Sequence, residues 1–255
     1  MTDPVVLDLD GVVWLAESPI PGSADAVARL RQAGRRVVFV TNNSSALVSE
    51  QEAKLASFGI PAEGDVITSA AAAATLVQPG ERVICCSGPG VVEAVRARGA
   101  EVVDDGPADA VVVGFHMDFD YDGLRRAGVA VMNGARLVAT NHDPTYPTPD
   151  GPIPGGGSIV AAVATAAGVE PEFAGKPRQP VADLVRQLVG DAGMVVGDRP
   201  DSDGEFATTL GFEFGLVLSG VTAETDLPVS PEPTLVAEDL AALVDQILGS
   251  DPDVR

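Results

Sequence analysis

Residues 4–14, PVVLDLDGVVW, constrain the fold more than any other stretch of the chain. The apolar residues 5–7 and Leu9 predict a buried strand of an α/β sheet. Side chains alternate along a strand, so Asp8 and Asp10 leave its carboxyl end on the same side. Open α/β sheets bind ligands at that edge, and two neighbouring carboxylates repel each other unless a cation lies between them. The spacing suggests a divalent metal beside a nucleophile, although Asp-Gly alone is also typical of a turn.

Beyond this segment, predicted strands and helices alternate along the chain. The strands are predicted at 36–40, 66–68, 83–86, 110–114, 137–139, 194–196 and 214–218, the last of the sheet, and the main helices at 23–33, 47–58, 159–167, 181–189 and 237–248. This alternation predicts an α/β protein with a Rossmann-like, doubly wound and largely parallel sheet. The stretch 140–157 is rich in proline and glycine and is too long for an ordinary connection.

Polar groups follow four of the predicted elements, and parallel strands bring their carboxyl ends to one edge. These groups are Asp8 with Asp10, Thr41 with Asn42 and Asn43, Lys176 before a helix, and Asp198 with Asp203. Carboxylates such as Asp8 and Asp198 suit the hard cation Mg²⁺. The Thr41 hydroxyl, the amides that follow it and the Lys176 ammonium suit phosphate oxygens.

The same residues resemble the four ordered motifs of haloacid-dehalogenase-like (HAD) phosphatases. The matching segments are DLDGV at 8–12, TNN at 41–43, GKP at 175–177 and GDRPDSD at 197–203. The resemblance covers nearly the whole chain and is closest to the NagD-like, p-nitrophenylphosphatase-like branch, whose type IIA cap is inserted between the second and third motifs. The residues after Asp203, Gly204 to Phe206, depart from the aliphatic and small residues typical of that position.

The resemblance implies a role for each motif residue. Asp8 is the nucleophile, and Asp10 is the general acid and base. Thr41, Asn42, Asn43 and Lys176 form the phosphate-binding set. The metal ligands are Asp8, Asp10 and Asp198, the cofactor is Mg²⁺, and Asp203 supports the ligands without touching the ion.

Motif spacing locates the cap. About 30 residues separate Asp10 from Thr41, and one helix uses most of them, whereas about 135 separate Thr41 from Lys176. The expected division is a catalytic core of 1–79 and 175–255 with an inserted, smaller α/β cap of 80–174. The loop 140–154 would reach the substrate pocket, and the glycines at 155–157 would ease motion between cap and core.

Several side chains have two interpretations. His142, Asp143 and Tyr146 of the cap loop are candidates for substrate contact, or they pack the loop against the cap. Trp14 is expected to pack beside the site, and His116 to be a surface residue at a strand end. The adjacent Cys85 and Cys86 form neither a disulfide framework nor a metal set, and are expected to be core residues.

Composition limits the partners. A formal charge of −21 would repel nucleic acid, anionic membranes and phosphorylated substrates alike. A phosphatase of this charge therefore needs local positive charge at its site. No apolar run approaches the roughly 20 residues of a membrane span, and the N-terminus lacks a basic region. We expect a soluble, cytoplasmic protein that binds neither nucleic acid nor membranes, and we leave homodimerisation open.

The expected activity is Mg²⁺-dependent hydrolysis of a small phosphomonoester through an aspartyl phosphate on Asp8. A sugar or polyol phosphate, such as glycerol phosphate, or phosphoglycolate is favoured, because the cap loop has no basic cluster and Tyr146 is its one aromatic candidate for stacking. A nucleotide or pyridoxal phosphate phosphatase is the alternative. A receiver-like signalling module or a non-catalytic phosphate-binding protein is disfavoured, since the receiver is about half this length and all the motif residues are intact.

Overall fold

The computed structural model describes residues 3–146, 148 and 151–249. The order of the elements follows the predicted alternation of strands and helices. The strands are β1 (Val5–Leu7), β2 (Trp14–Leu15), β3 (Ser18–Pro19), β4 (Val37–Thr41), β5 (Val66–Thr68), β6 (Arg82–Cys86), β7 (Glu101–Val103), β8 (Ala110–Val113), β9 (Arg136–Ala139), β10 (Thr145–Tyr146), β11 (Ile153–Pro154), β12 (Glu172–Phe173), β13 (Met194–Gly197), β14 (Glu213–Val217) and β15 (Leu235–Ala237). The α-helices are α1 (Ser23–Gln32), α2 (Val48–Ser57), α3 (Ser69–Thr75), α4 (Pro89–Ala97), α5 (Tyr121–Met132), α6 (Gly156–Ala167), α7 (Gln179–Val189), α8 (Glu205–Leu210) and α9 (Leu240–Gly249).

Two parallel sheets organise these strands. The larger has six strands in the order β15-β14-β13-β1-β4-β5, and the smaller has five in the order β12-β9-β8-β6-β7. In the larger sheet β1 lies between β13 and β4, with Leu7 opposite Val196 on one side and Phe39 on the other. The predicted α/β class with parallel, doubly wound sheets is confirmed.

Backbone contacts group the chain into two compact units. The first comprises the residues up to 41, 51–67 and those from 182 onward, and the second comprises 42–50 and 68–181. Each has its own core of buried side chains: Leu7, Phe39 and Leu243 belong to the first, and Val111 and Ile159 to the second. The bounds predicted for core and cap differ from these units and stay a prediction.

Two predicted boundaries near the C-terminus were wrong. The strand at 213–217 is not the last, because β15 follows it and pairs with it at Val217 and Ala237. The final helix begins at Leu240 and not at Ala237, since the Asp239 carboxylate accepts a hydrogen bond from Ala242 N at 2.9 Å and caps the helix there.

The stretch 140–157 also contains regular structure. Tyr146 pairs with Ile153 in a short antiparallel ladder, and α6 begins at Gly156. Positions 147, 149 and 150 of the predicted loop lie outside the described residues. No helix in the described part of the chain is long and apolar enough to cross a membrane.

Candidate active site

A tight turn follows β1 and presents Asp8 and Asp10. The strand is fully buried, and Asp8 N donates to Val196 O at 2.9 Å, which continues the ladder with β13. The chain then reverses, because Val13 N donates to Leu9 O at 2.9 Å and Gly11 N to Trp14 O at 2.7 Å. Gly11 has φ +83°, a conformation that glycine adopts at little cost.

The structure brings three carboxylates together in the first unit. Oxygen atoms of Asp8, Asp198 and Asp203 all lie within 4.8 Å of one another. This follows from the sheet order, since β1 and β13 are neighbours and Asp8 and Asp198 directly follow them. Asp198 and Asp203 are buried, with 2% and 0% of their surface exposed. The Asp10 carboxylate is not in this group.

Hydrogen bonds from neighbouring residues hold two of the three acids in place. Val221 N donates to Asp198 Oδ2 at 2.6 Å, and Thr222 Oγ1 donates to Asp198 O at 2.6 Å. Arg199 N donates to Asp203 Oδ2 at 3.1 Å. Asp203 lies in a single π-helical turn, Pro200–Gly204, a rare conformation that is frequent at functional sites.

This donor set fits Mg²⁺. Three carboxylates this close repel one another strongly in a buried site, and oxygen ligands are those that Mg²⁺ prefers. Glycines leave the required space: a Cβ on Gly11 would lie 2.5 Å from Asp198 Oδ2, and one on Gly220 would overlap the same oxygen. Gly220 and Val221 lie more than 20 residues beyond Asp198 in no recognisable motif, so no signal in the sequence indicates their role at this site.

Asp10 has a different partner. Its Oδ1 accepts a hydrogen bond from Trp14 Nε1 at 3.0 Å. Trp14 does pack beside Asp10, as expected, but the expectation missed the polar contact.

Thr41 ends β4, the other neighbour of β1 in the larger sheet. It is 2% exposed and lies two residues beyond Phe39, which pairs with Leu7. Its position at the carboxyl end of β4 agrees with the predicted arrangement of the strand ends.

Asn42 and Lys176 meet in the second unit. Asn42 Nδ2 donates to Asp143 Oδ2 at 3.0 Å and to Lys176 O at 3.2 Å. These two bonds use both amide hydrogens of Asn42. Its side chain therefore links Asp143 to the backbone at Lys176 and has no N–H left to donate to a phosphate. Gly175 permits the approach, since a Cβ there would lie 2.6 Å from Asn42 Oδ1. Lys176 is 2% exposed.

Asn43 shapes its own loop. Its Oδ1 accepts hydrogen bonds from Ser45 N at 3.0 Å and Ala46 N at 3.4 Å, which form an Asx turn ahead of α2. The side-chain oxygen is therefore used locally, where it fixes the path of the loop.

The cap-loop candidates make contacts within the second unit. The Tyr146 ring stacks on Phe115 with centroids 4.9 Å apart and an interplanar angle of 16°. The His142 ring meets Phe173 edge to face at 5.8 Å, and both line a cavity of about 300 Å³. Asp143 is the partner of Asn42 described above. These contacts position the loop and leave its predicted role in substrate contact untested.

The glycines at 155–157 lie at the start of α6, and their predicted role in motion between cap and core stays a prediction. Gly155 caps α6 and the other two begin it, all inside the second unit. A Cβ on Gly155 would lie 2.6 Å from Asp143 O, and one on Gly157 would overlap His142 O. Glycine is needed here because the helix start packs directly on the backbone of 142–143.

His116, Cys85 and Cys86 lie in the second unit on the wall of a cavity of about 320 Å³. His116 Nδ1 is 3.0 Å from Gly114 O. Burial raises the pKa of the Cys85 thiol to about 12 and that of Cys86 to about 11. Neither thiol is a reactive nucleophile near neutral pH. Cys86 is buried in the core of the second unit, as expected, whereas Cys85 is only partly buried.

Comparison with known proteins places this geometry in a family. A model described as haloacid dehalogenase-like hydrolase matches residues 5–101, and a HAD-hydrolase-like model matches residues 173–243. A D-glycerol 3-phosphate phosphatase of Mycobacterium tuberculosis is 40% identical over 94% of this chain and 70% of its own length. The chain belongs to the haloacid dehalogenase-like hydrolases.

Other relatives agree with this assignment. An acid sugar phosphatase of Staphylococcus saprophyticus is 32% identical over 95% of this chain and 96% of its own. The structure of a glycerol phosphate phosphatase from Mycobacterium tuberculosis in complex with magnesium matches with a TM-score of 0.87 and 38% identity, over 94% of this chain and 76% of that one. A p-nitrophenyl phosphatase from Archaeoglobus fulgidus matches with a TM-score of 0.89 and 31% identity, over 96% and 98% of the two chains. The resemblance to the p-nitrophenylphosphatase-like branch is confirmed.

Proposed function

We propose that this HAD hydrolase is an Mg²⁺-dependent phosphatase of small phosphomonoesters. The observation that carries the proposal is the cluster of Asp8, Asp198 and Asp203 carboxylates, with Asp10 two residues after Asp8. Such a cluster suits a divalent cation beside a carboxylate nucleophile. The relatives named as phosphatases, one of them in complex with magnesium, support the same activity.

Asp8 and Asp10 divide the chemistry between them. A carboxylate oxygen of Asp8 attacks phosphorus in line, and the bond from phosphorus to the leaving oxygen breaks. Asp10 gives its proton to that oxygen, which leaves as an alcohol, and Asp8 becomes an aspartyl phosphate. Asp10, now a carboxylate, accepts a proton from the water that attacks the phosphorus. Orthophosphate leaves, and Asp8 is restored.

The remaining motif residues hold the phosphoryl group and the metal. The Mg²⁺, when bound by Asp8, Asp198 and the Asp10 carbonyl, offsets negative charge on the phosphoryl oxygens. Asp203 supports these ligands. The Thr41 hydroxyl and the Lys176 ammonium bind phosphate oxygens, and Asn42 and Asn43 contribute through their main-chain amides. The net charge of the chain is −21, which repels an anionic substrate, and this local positive charge offsets that repulsion at the site.

We also propose the division into a core of 1–79 and 175–255 and a cap of 80–174. The strand content supports it. Every strand of the six-stranded sheet comes from the first two ranges, and every strand of the five-stranded sheet comes from the third. His142, Asp143 and Tyr146 then belong to the cap, where they are proposed to contact the substrate.

The proposed substrate is a polyol or sugar phosphate. The similarity to a D-glycerol 3-phosphate phosphatase and an acid sugar phosphatase supports this class. The stacking of Tyr146 on Phe115 also supports it, because one face of the loop's aromatic ring is already covered. The chain is further proposed to work in the cytoplasm without nucleic acid or membrane partners, as its acidity indicates, and whether it forms a homodimer is left to experiment.

The experiment is a screen of purified protein with Mg²⁺ against glycerol phosphate, sugar phosphates, phosphoglycolate, nucleoside monophosphates, pyridoxal phosphate and p-nitrophenyl phosphate. The Asp8→Asn variant, prepared identically, controls for contaminating phosphatases. We expect phosphate release to be fastest from a polyol or sugar phosphate and to vanish in the variant. Preference for a nucleotide or pyridoxal phosphate would replace the proposed substrate class, and no turnover of any ester would overturn the activity itself.

A further inference from the structure

The Trp14 indole holds the carboxyl group of Asp10. Its Nε1 donates to Asp10 Oδ1 at 3.0 Å, and the backbone repeats the link, since Gly11 N donates to Trp14 O at 2.7 Å. Trp14 is the chain's single tryptophan and is 2% exposed. A hydrogen bond from the N–H of a buried, fixed ring restricts the orientation of the carboxyl group that accepts it.

The indole is itself held in place by its neighbours in the first unit. Phe58 meets it edge to face, with ring centroids 6.0 Å apart. The Lys54 ammonium lies 4.5 Å from the ring centroid, within the range of a cation–π contact.

Lys54 is anchored at a second point. Its Nζ donates to Ala16 O at 2.6 Å, in the turn that joins β2 to β3, and lies 3.6 Å from a Glu17 carboxylate oxygen. Ala16 has φ +51°, an uncommon value for a residue other than glycine. The hairpin, Lys54 and Trp14 thus form one connected support beneath Asp10.

We infer that Trp14 is a positioning residue that fixes the Asp10 carboxyl group for proton transfer to the leaving oxygen. The inference rests on the proposed function, in which Asp10 is the general acid. Because one carboxyl oxygen accepts the indole N–H, the proton to be donated sits on the other oxygen. Trp14 thereby selects which oxygen faces the leaving group, and misplacement of a catalytic group by about 1 Å can cost a large part of the rate.

The test is the dependence of kcat/KM on the leaving group. This constant reports the steps up to departure of the alcohol, and a poor leaving group such as glycerol needs the proton far more than p-nitrophenol does. Trp14→Phe keeps an aromatic ring but removes the N–H donor. We expect it to lower kcat/KM about tenfold for glycerol phosphate and at most about twofold for p-nitrophenyl phosphate, which steepens a plot against leaving-group pKa.

Three further variants separate the possible causes. Asp10→Asn should steepen the plot more than Trp14→Phe, and the double variant should be no steeper than Asp10→Asn alone, because Trp14 acts through Asp10. Phe58→Leu perturbs the packing of the same ring but keeps the N–H, so it should change the slope far less than Trp14→Phe does.

Each contrary result overturns a different statement. A parallel drop for all esters in Trp14→Phe, with Asp10→Asn still steep, would make Trp14 a packing residue and leave the proposed function standing. An unchanged slope in Asp10→Asn would remove both the acid role and the positioning role. If Trp14→Phe fails to fold, Trp14→β-(3-benzothienyl)alanine keeps the shape of the indole without its N–H, and the same plot decides.

Fluorescence gives an independent readout, because all tryptophan emission comes from Trp14. Asp10→Ala removes the group that accepts the indole N–H and should shift the emission. Asp25→Ala, which changes an exposed acid in the first turn of α1, should not. An emission spectrum that is insensitive to Asp10→Ala would contradict the contact in solution and overturn the inference.

Discussion

Mg²⁺ should stabilise this protein against unfolding even without substrate, and Asp198→Asn should remove most of that effect. Val221 N donates to Asp198 Oδ2, and an asparagine carbonyl can accept the same bond. The variant therefore changes the charge of the cluster while it leaves the local geometry intact. The effect of Mg²⁺ on the three carboxylates does not depend on catalysis.

The magnitude follows from the distances. Two unit charges 4.8 Å apart repel by roughly 3 kcal/mol at an effective dielectric constant of about 20. A cation that relieves this repulsion binds the folded state alone. At about 100 times its dissociation constant it adds about 2.7 kcal/mol to the free energy of unfolding. For a chain of this size that is a rise in Tm of about 5–10 °C.

Loss of one ligand charge should weaken Mg²⁺ binding considerably. Removal of a mere supporting partner at a metal site typically costs about 10–100-fold in affinity, and loss of a charged ligand should cost at least as much. At the same Mg²⁺ concentration, a loss of about 100-fold should reduce the rise in Tm of Asp198→Asn to about 2 °C or less, and a loss of about tenfold should reduce it to about 3–6 °C.

The assay is thermal unfolding in chelator-treated buffer, with and without MgCl₂, with NaCl used to match ionic strength. This control matters because a chain of charge −21 attracts cations everywhere on its surface. Asp25→Asn removes one exposed charge from the same unit and should keep the full Mg²⁺ shift. An equal shift in Asp198→Asn and the wild type, or none in the wild type, would refute the metal site.

Four further predictions concern the metal, the cap loop and the buried thiols. Chelator should abolish phosphate release by the wild type and added Mg²⁺ should restore it, and full activity in excess chelator would contradict the donor set. Tyr146→Ala should change kcat/KM ratios among polyol and sugar phosphates more than it changes hydrolysis of p-nitrophenyl phosphate, whereas a common factor for all substrates would mean that the ring only packs on Phe115. Burial raises the thiol pKa values of Cys85 and Cys86 to about 12 and 11, so native protein should react with iodoacetamide at pH 8 far more slowly than urea-unfolded protein. Their burial should also stabilise the fold below the ordinary thiol pKa, near pH 9, and this contribution should fade as the pH rises toward 11–12.

Local patterns predicted the elements that carry the motifs. The strand predicted at 66–68 has those bounds in the structure, and α2 and β13 differ from their predictions by a residue or two at their ends. Such segments are predictable because they contain apolar runs that are followed by polar residues at the strand end. The short strands β10 and β11 have no apolar run that would predict them. Each is only two residues long, and β11 includes Pro154, a residue type that disfavours strands.

Contacts between distant residues could not be derived from the pattern. Asn42 and Asp143 are 101 positions apart, and nothing in either segment indicates that their side chains share a hydrogen bond. The bond between Trp14 and Asp10 is local, yet it depends on a turn whose exact path the letters DGVVW do not specify. In both cases the sequence marked the two residues as candidates, but only the folded backbone shows that their side chains share a hydrogen bond.

Asp203 owes its position to the local fold of its motif. The resemblance assigns it a supporting role, which stays a prediction, and the structure places its carboxylate within 4.8 Å of those of Asp8 and Asp198. Two features make this possible. The π-helical turn lets Asp203 Oδ2 reach back to Arg199 N, and the missing Cβ of Gly197 leaves the space that the carboxylate occupies. Gly197 and Asp203 therefore depend on each other, since a side chain at 197 would displace the acid. The residues of segment 197–203 depend on one another for their positions, and their roles cannot be assigned independently.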